Sequence, residues 1–203
     1  MMEFILSYDM ETQEPRQPER IDLDSRIAVR IRQLRTGLGL TIDGLAERSG
    51  VSRAMISKVE RGEASPTAAL LGRLANALGT TLSKFFSDTA DGGPLVRAQD
   101  RPVWRDPATG YLRRAVTPES YPADIVDVTL PAGASVTYDN AVPLSLEQVV
   151  WVLDGTLRMT VNGIRYDLAA GDCLQMTLEQ PITFANVTAK EARYAVVLSR
   201  PPR

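Results

Sequence analysis

The sequence predicts an α+β protein in two parts: a bundle of five short helices over residues 24–88, then an all-β barrel over residues 101–203. A disordered tail at 1–23 and a linker at 89–100 complete the expected layout. Three observations carry this reading. Apolar residues recur at helical spacing as far as Phe86, and from about residue 95 they alternate with polar ones. Between these regions lies "SDTADGGPLVRAQDRP", polar and broken by Gly92, Gly93, Pro94 and Pro102.

The helical part is closely punctuated. Asp24 or Ser25 suits the start of a first helix whose apolar stripe is Ile27, Ile31, Leu34 and Leu38, ending at Gly37 or Gly39. Thr41 can cap a second helix, "IDGLAERS", with Leu45 and the small Ala46 inward and Gly50 supplying a left-handed exit. Ser52 caps a third, "RAMISKVER", which buries Ile56 and Val59 and turns Arg53, Ala54, Ser57 and Lys58 outward before stopping at Gly62. Ser65-Pro66 reads as a cap followed by a first-turn proline, opening a fourth helix striped by Leu70, Leu71, Leu74, Ala75 and Leu78. A last short helix carries Leu82, Phe85 and Phe86.

Charge is divided along the chain. The net charge is −2, yet residues 24–90 hold ten Arg/Lys against six Asp/Glu, while both flanks are acidic. Such asymmetry points to an anionic partner for the helical part alone, although a solvated helix face also carries charge runs. The longest apolar run, around Val149 to Leu153, is far short of the ~20 residues that span a bilayer. The apolar Phe4-Ile5-Leu6 has no basic leader, so a secretory signal is not expected and a cytoplasmic setting is. Cys173, the single cysteine, fits a reducing compartment and is expected as a buried structural thiol ahead of a redox sensor.

The stretch "LTIDGLAERSGVSRAMISKVERGEASPTAALLGRLANALGTTLSKFF" resembles the phage-repressor-like (XRE) helix-turn-helix family almost position by position. The matching features are Ala46 at a helix contact, Gly50 in the turn, Ile56 inside, the Glu60-Arg61-Gly62 exit and Pro66. An ordinary bundle would explain the apolar stripes, but not why short, polar and basic residues gather on one exposed face at the start of the third helix. The resemblance implies a lambda-repressor-like bundle that binds double-stranded DNA. Arg53, Ala54, Ser57 and Lys58 then fall at base-facing positions, Arg53 as a guanine reader and Ala54 against a thymine methyl. Thr41 and Ser52, at helix starts, are expected on phosphates, and Arg61 is either a phosphate contact or a plain helix C-terminal cation.

In the β part, strong turns fall at Asp106 to Gly110, Pro131-Ala132-Gly133, Asp154-Gly155, Asn162-Gly163 and Ala170-Gly171, leaving room for eight or nine strands. "LPAGASV", "EQVVWVLDGTLRMTVNG", "YDLAAGDCL" and "QPITFAN" resemble the cupin family, a double-stranded β-helix barrel, with Gly133, Gly155, Gly163, Gly171, Pro181 and Asn186 in place. The usual cupin metal ligands are not. The chain has no histidine; Gln148 stands at the glutamate position, Ile182 at the last histidine, and the remaining pair falls within Ala141 to Leu144. Such groups bind first-row metals poorly, so no metal, cofactor or catalytic residue is expected. Glu147 is a lone acid that strand alternation turns away from Gln148. Trp104, Tyr138, Trp151, Met176 and Phe184 are either plain core or the wall of an apolar cavity.

Together the two resemblances imply a regulator that joins an XRE helix-turn-helix to a cupin sensor domain. Tyr138, Gln148, Met176, Ile182 and Phe184 are then the candidate effector-binding residues, and a homodimer on a DNA operator is the expected form. Two other readings compete: a cupin-type enzyme tethered to DNA, which the missing histidines weaken, and a constitutive antitoxin-like DNA binder, for which a barrel would serve only in pairing.

Overall fold

The computed structural model describes residues 23–86, 95–118, 121, 123–140 and 146–199. Residues 1–22 of the expected tail, residues 89–94 of the expected linker, and Ala141 to Leu144 lie outside the described residues. The described chain has four α-helices followed by a largely β region. The helices are α1 (Leu23–Gly37), α2 (Ile42–Ser49), α3 (Arg53–Glu60) and α4 (Ala68–Ala77). In place of a fifth α-helix there is one 3-10 turn, Leu82–Phe85. Leu82 and Phe85, three apart, share a side in such a turn and seat it with few residues.

Local chemistry fixes the middle helices. Thr41 Oγ1 accepts the Gly44 N–H at 3.0 Å and Ser52 Oγ the Met55 N–H at 3.3 Å. Gly50 closes α2 at φ 64°, where a side chain would be strained. Two expectations fail at the edges. Leu38 is 53% exposed, because α1 ends one residue before it and its direction leaves the stripe. The Ser65-Pro66 pair does not open α4: Thr67 caps it, accepting the Leu70 N–H, while the Ser65 hydroxyl donates to the Asp24 carboxylate at the start of α1.

Ten strands follow among the described residues: β1 (Val103–Arg105), β2 (Leu112–Ala115), β3 (Ala123–Leu130), β4 (Ser135–Tyr138), β5 (Glu147–Asp154), β6 (Thr156–Val161), β7 (Ile164–Ala169), β8 (Cys173–Thr177), β9 (Ile182–Ala185) and β10 (Ala192–Ser199). They form two antiparallel sheets, β1-β2-β3-β10-β5-β8 and β4-β9-β6-β7. Alternation puts Gln148, Val150 and Val152 of β5 and Tyr194, Val196 and Leu198 of β10 on the inside, against Ile182 and Phe184 of the other sheet. The rings of Phe184 and Tyr194 stack across the gap at 5.6 Å. Gly155, between β5 and β6, has no room for a side chain: a Cβ there would stand 2.7 Å from the Glu191 carbonyl oxygen.

The same alternation turns two residues outward against expectation. Trp151 is 50% exposed on the outer face of the larger sheet, so it cannot line an internal cavity. Cys173 is exposed rather than buried, because it pairs with Trp151 on β8, the edge strand beyond β5. Trp104 is buried as core, but against Phe86 and Tyr111 at ring distances of 5.3 and 5.8 Å.

That packing joins the two regions, and α4 is the hinge of the contact. Asp106, on the β1–β2 turn and 1% exposed, accepts the backbone N–H of Ala68 at 2.8 Å with Oδ1. Its Oδ2 accepts from the N–H and hydroxyl of Thr109. A carboxylate from the β region thus completes the cap of a helix in the bundle, where unpaired N–H groups and the helix dipole favour negative charge. Thr81 donates to Asp124 at 3.1 Å, and Arg113 donates to Ser83 at 2.8 Å. Asp106→Ala leaves the Ala68 N–H without its acceptor and is expected to lower the unfolding free energy by about 1–3 kcal/mol in urea titration. A loss under about 0.5 kcal/mol, the range of ordinary surface changes, would contradict this role.

Candidate DNA-reading face and barrel cavity

The start of α3 presents Ser52, Arg53, Ala54, Met55 and Lys58 to solvent, with Ser57 half-buried and Ile56 and Val59 beneath. All four residues assigned to bases therefore lie on one helix, with Thr41 exposed at the start of α2. Arg53 is paired with Asp43 at 3.2 Å, both side chains about two-thirds or more exposed. An exposed pair of this kind contributes at most ~1 kcal/mol, so the guanidinium is easily transferred to another anion or a base edge. Arg61 is held differently. It bonds both oxygens of Glu63 at 2.6 and 2.7 Å and also donates to the Ser57 hydroxyl, closing the end of α3. Met55 escaped the sequence reading; its place between Ala54 and the buried Ile56, in the turn that holds Arg53, was the available signal.

What fixes the tilt of α3 is an ion pair hidden in the bundle. The Arg35 guanidinium on α1 meets both Glu60 oxygens at 2.6 and 2.7 Å and donates to the Leu40 carbonyl at 2.8 Å. Its hydrogen bond to Glu60 raises the Arg35 pKa, against the opposing pull of burial. With side chains only 11% and 6% exposed, the pair ties the end of α3 to α1 and to the α1–α2 turn. Sequence patterning placed Glu60 but not its partner, since Arg35 sits among polar neighbours on a helix whose apolar stripe was read elsewhere.

The second site is a cavity of about 70 Å³ between the two sheets, lined on one side by the bundle. One water needs ~10–15 Å³, so several waters or a compact organic molecule fit. Of the five candidate effector residues, Tyr138, Gln148, Ile182 and Phe184 line it, while Met176 is not on its wall but pairs with Gln148 across β5 and β8, its sulfur 4.0 Å from Nε2. The roof was not foreseen. Gly72, Ala75 and Asn76 of α4, with Thr80, Thr81 and Leu82 after it, complete the wall. The Tyr138 ring lies so close to Gly72 that a Cβ there would stand 2.7 Å from it. Tyr138 Oη is 3.1 Å from Tyr111 Oη. Burial pushes the Tyr138 and Tyr194 phenols well above their ordinary pKa, so both stay neutral.

Arg113 also lines the cavity, 7% exposed, with its guanidinium 5.6 Å from the centre of the Phe86 ring. A signal existed: "YLRRAV" sets two arginines side by side, and alternation obliges one of them to face inward. Among the described residues no three His, Cys, Asp or Glu gather as a metal site, and no helix is long and apolar enough to cross a membrane.

Comparison with known proteins bears on both sites. The Helix-turn-helix family (HTH_3) matches residues 31–85, which contain α2, α3 and α4 whole. A helix-turn-helix transcriptional regulator of Methanothermobacter thermautotrophicus is 51% identical over 49 residues, 24% of this chain and 71% of that one. This chain belongs to the XRE-type helix-turn-helix transcriptional regulators. The similarity of this regulator to others runs beyond the helices. The transcriptional regulator PuuR of Escherichia coli is 28% identical over 165 residues, 79% of this chain and 87% of that one. A solved HTH_3-family transcriptional regulator from Vibrio cholerae superposes with a TM-score of 0.72 at 26% identity, over 89% of this chain and 98% of the other.

Removing one partner from a buried ion pair strands the other charge, at a cost of about 3–5 kcal/mol. Glu60→Ala is accordingly expected to destabilise the regulator by that order in chemical unfolding. A loss below about 1 kcal/mol, typical of exposed pairs, would contradict the anchoring role given to Arg35 and Glu60.

Proposed function

We propose that this regulator is a cytoplasmic, sequence-specific DNA-binding homodimer whose β region is a cupin barrel, a double-stranded β-helix, that senses a small-molecule effector without transforming it. The observation that carries the DNA-binding part is the capped, solvent-facing start of α3, with Arg53, Ala54 and Lys58 exposed on the helix that the family match covers. Arg53 reads guanine through a two-pronged bond to O6 and N7, while Ala54 meets a thymine methyl and Ser57 and Lys58 complete the base-facing set. Thr41 and Ser52 hold phosphates at helix starts, and Arg61 braces Ser57 and Glu63 beside them.

The sensing part is supported by the cavity with Tyr138, Gln148, Ile182 and Phe184 on its wall, Met176 beside Gln148, and the bundle along one side. A non-catalytic role is supported by the residues at the cupin ligand positions: the Gln148 amide and the Ile182 side chain offer neither a strong metal ligand nor a proton-transfer group. For pairing, the outer face of the larger sheet sets Val197 between Ile125 and Val149, and Ala195 beside the exposed Trp151. Covering that largely apolar face with a second copy would bring two reading helices into one assembly.

Footprinting on selected DNA tests the reading. The expected operator is an inverted repeat with half-site centres roughly 10 base pairs apart. Arg53→Ala should cost about 1–3 kcal/mol and relax the preference at one base pair in each half-site. Protection of a lone half-site by a monomer, or unchanged base preferences in Arg53→Ala, would contradict it.

A further inference from the structure

Taking the cavity as the effector site, we infer that its ligand is a small organic carboxylate with an apolar body, held by Arg113. The charge balance of the wall makes the case. Arg113 is the only charged group among the described lining residues, which include no Asp or Glu. Its contacts are the Ser83 hydroxyl, which accepts from Nη2, and the face of Phe86. No described carboxylate pairs with it. A guanidinium withdrawn from water to this degree, with only a neutral hydroxyl and a ring to answer its charge, is poised for an anion.

The neighbouring groups point the same way. In the Tyr111–Tyr138 hydroxyl pair one O–H is used between the two rings, which leaves the other free to donate. Because burial keeps the Tyr138 and Tyr194 phenols neutral, neither adds a negative charge that would repel an anion. Ile182, Phe184, Val196 and Leu198 provide the surface for an apolar body. A cationic ligand would meet Arg113 and no carboxylate among the described lining residues.

The position of Arg113 also gives the ligand a means of acting. Ser83 and Phe86 belong to the helical region, whereas Arg113 is on β2 of the barrel. A carboxylate bound to the guanidinium competes with Ser83 for its N–H groups, so occupation of the cavity loosens one of the bonds that dock the two regions.

The experiment uses the full chain. Butyrate, valerate and isovalerate are titrated by calorimetry and thermal shift at constant ionic strength, beside the matched amides and amines. The carboxylates are expected to bind and raise the melting temperature, and the amides and amines to bind at least tenfold more weakly. Arg113→Gln should weaken carboxylate binding tenfold or more. Ser83→Ala, which keeps the charge and removes its competing acceptor, should strengthen it severalfold, an effect that a purely structural arginine would not give. Amides or amines binding as well as the acids, no response to any acid, or Ser83→Ala weakening the binding would overturn the inference. DNA selection on the same wild-type sample separates the two proposals. DNA binding with a response to amides or amines removes only the carboxylate, whereas absence of sequence-specific DNA binding removes the regulator reading itself.

Discussion

The Asp106 carboxylate on the first turn of α4 is the constraint from which the arrangement of the two regions follows. Burying a carboxylate is costly unless its oxygens are answered, and here Oδ1 is answered from the bundle and Oδ2 from its own turn. The helix gains a negative charge at its positive end, and the acid gains a donor beyond those of its own turn. From that pinned start α4 runs against β4 and along the cavity. Position 72 then has to be glycine-sized, since the Tyr138 ring occupies the space a side chain would take. That approach makes α4 one side of the cavity wall.

A physical route runs from the cavity wall to the proposed DNA-reading face. Helix α4 packs on α2, α2 on α3, and the end of α3 is locked to α1 by the Arg35–Glu60 pair. Within such a stack a shift of α4 cannot be absorbed locally, because close-packed interiors transmit displacement. An effector changes DNA affinity only through a difference in its affinity for the docked and undocked arrangements. The Tyr138–Gly72 contact and the Arg113–Ser83 bond are the groups where that difference can arise, since each has one member in the cavity wall and one in the helical region.

What the sequence disclosed, and what it withheld, divides along the reach of the forces. Thr41, Gly50 and Ser52 act on backbone groups within a few residues, so α2 and α3 were legible nearly to their ends. The same holds for the β turns, as at Asn162-Gly163, where two successive left-handed residues join β6 to β7. Ser65-Pro66 misled because Ser65 finds a better partner in Asp24, 41 residues away. Four of the five candidate cavity residues lie on its wall because strand alternation fixes which side chains point inward. The roof residues and the Asp106 cap were not legible, since each takes its meaning from a contact between distant parts of the chain, and for Arg113 alternation shows only that one of two neighbouring arginines faces inward. Trp151 and Cys173 misled for a related reason: their size and type suit a core, but register sets them on the outer face.

The central claim is that the helical region and the barrel behave as one cooperative body through α4. Equilibrium unfolding of the full chain tests it most directly, followed by far-UV helical signal and by tryptophan emission, because Trp104 and Trp151 both lie in the β region. The account predicts a single transition with coincident midpoints for the two signals. Loss of the helical signal in a separate transition, with the barrel still folded, would contradict it.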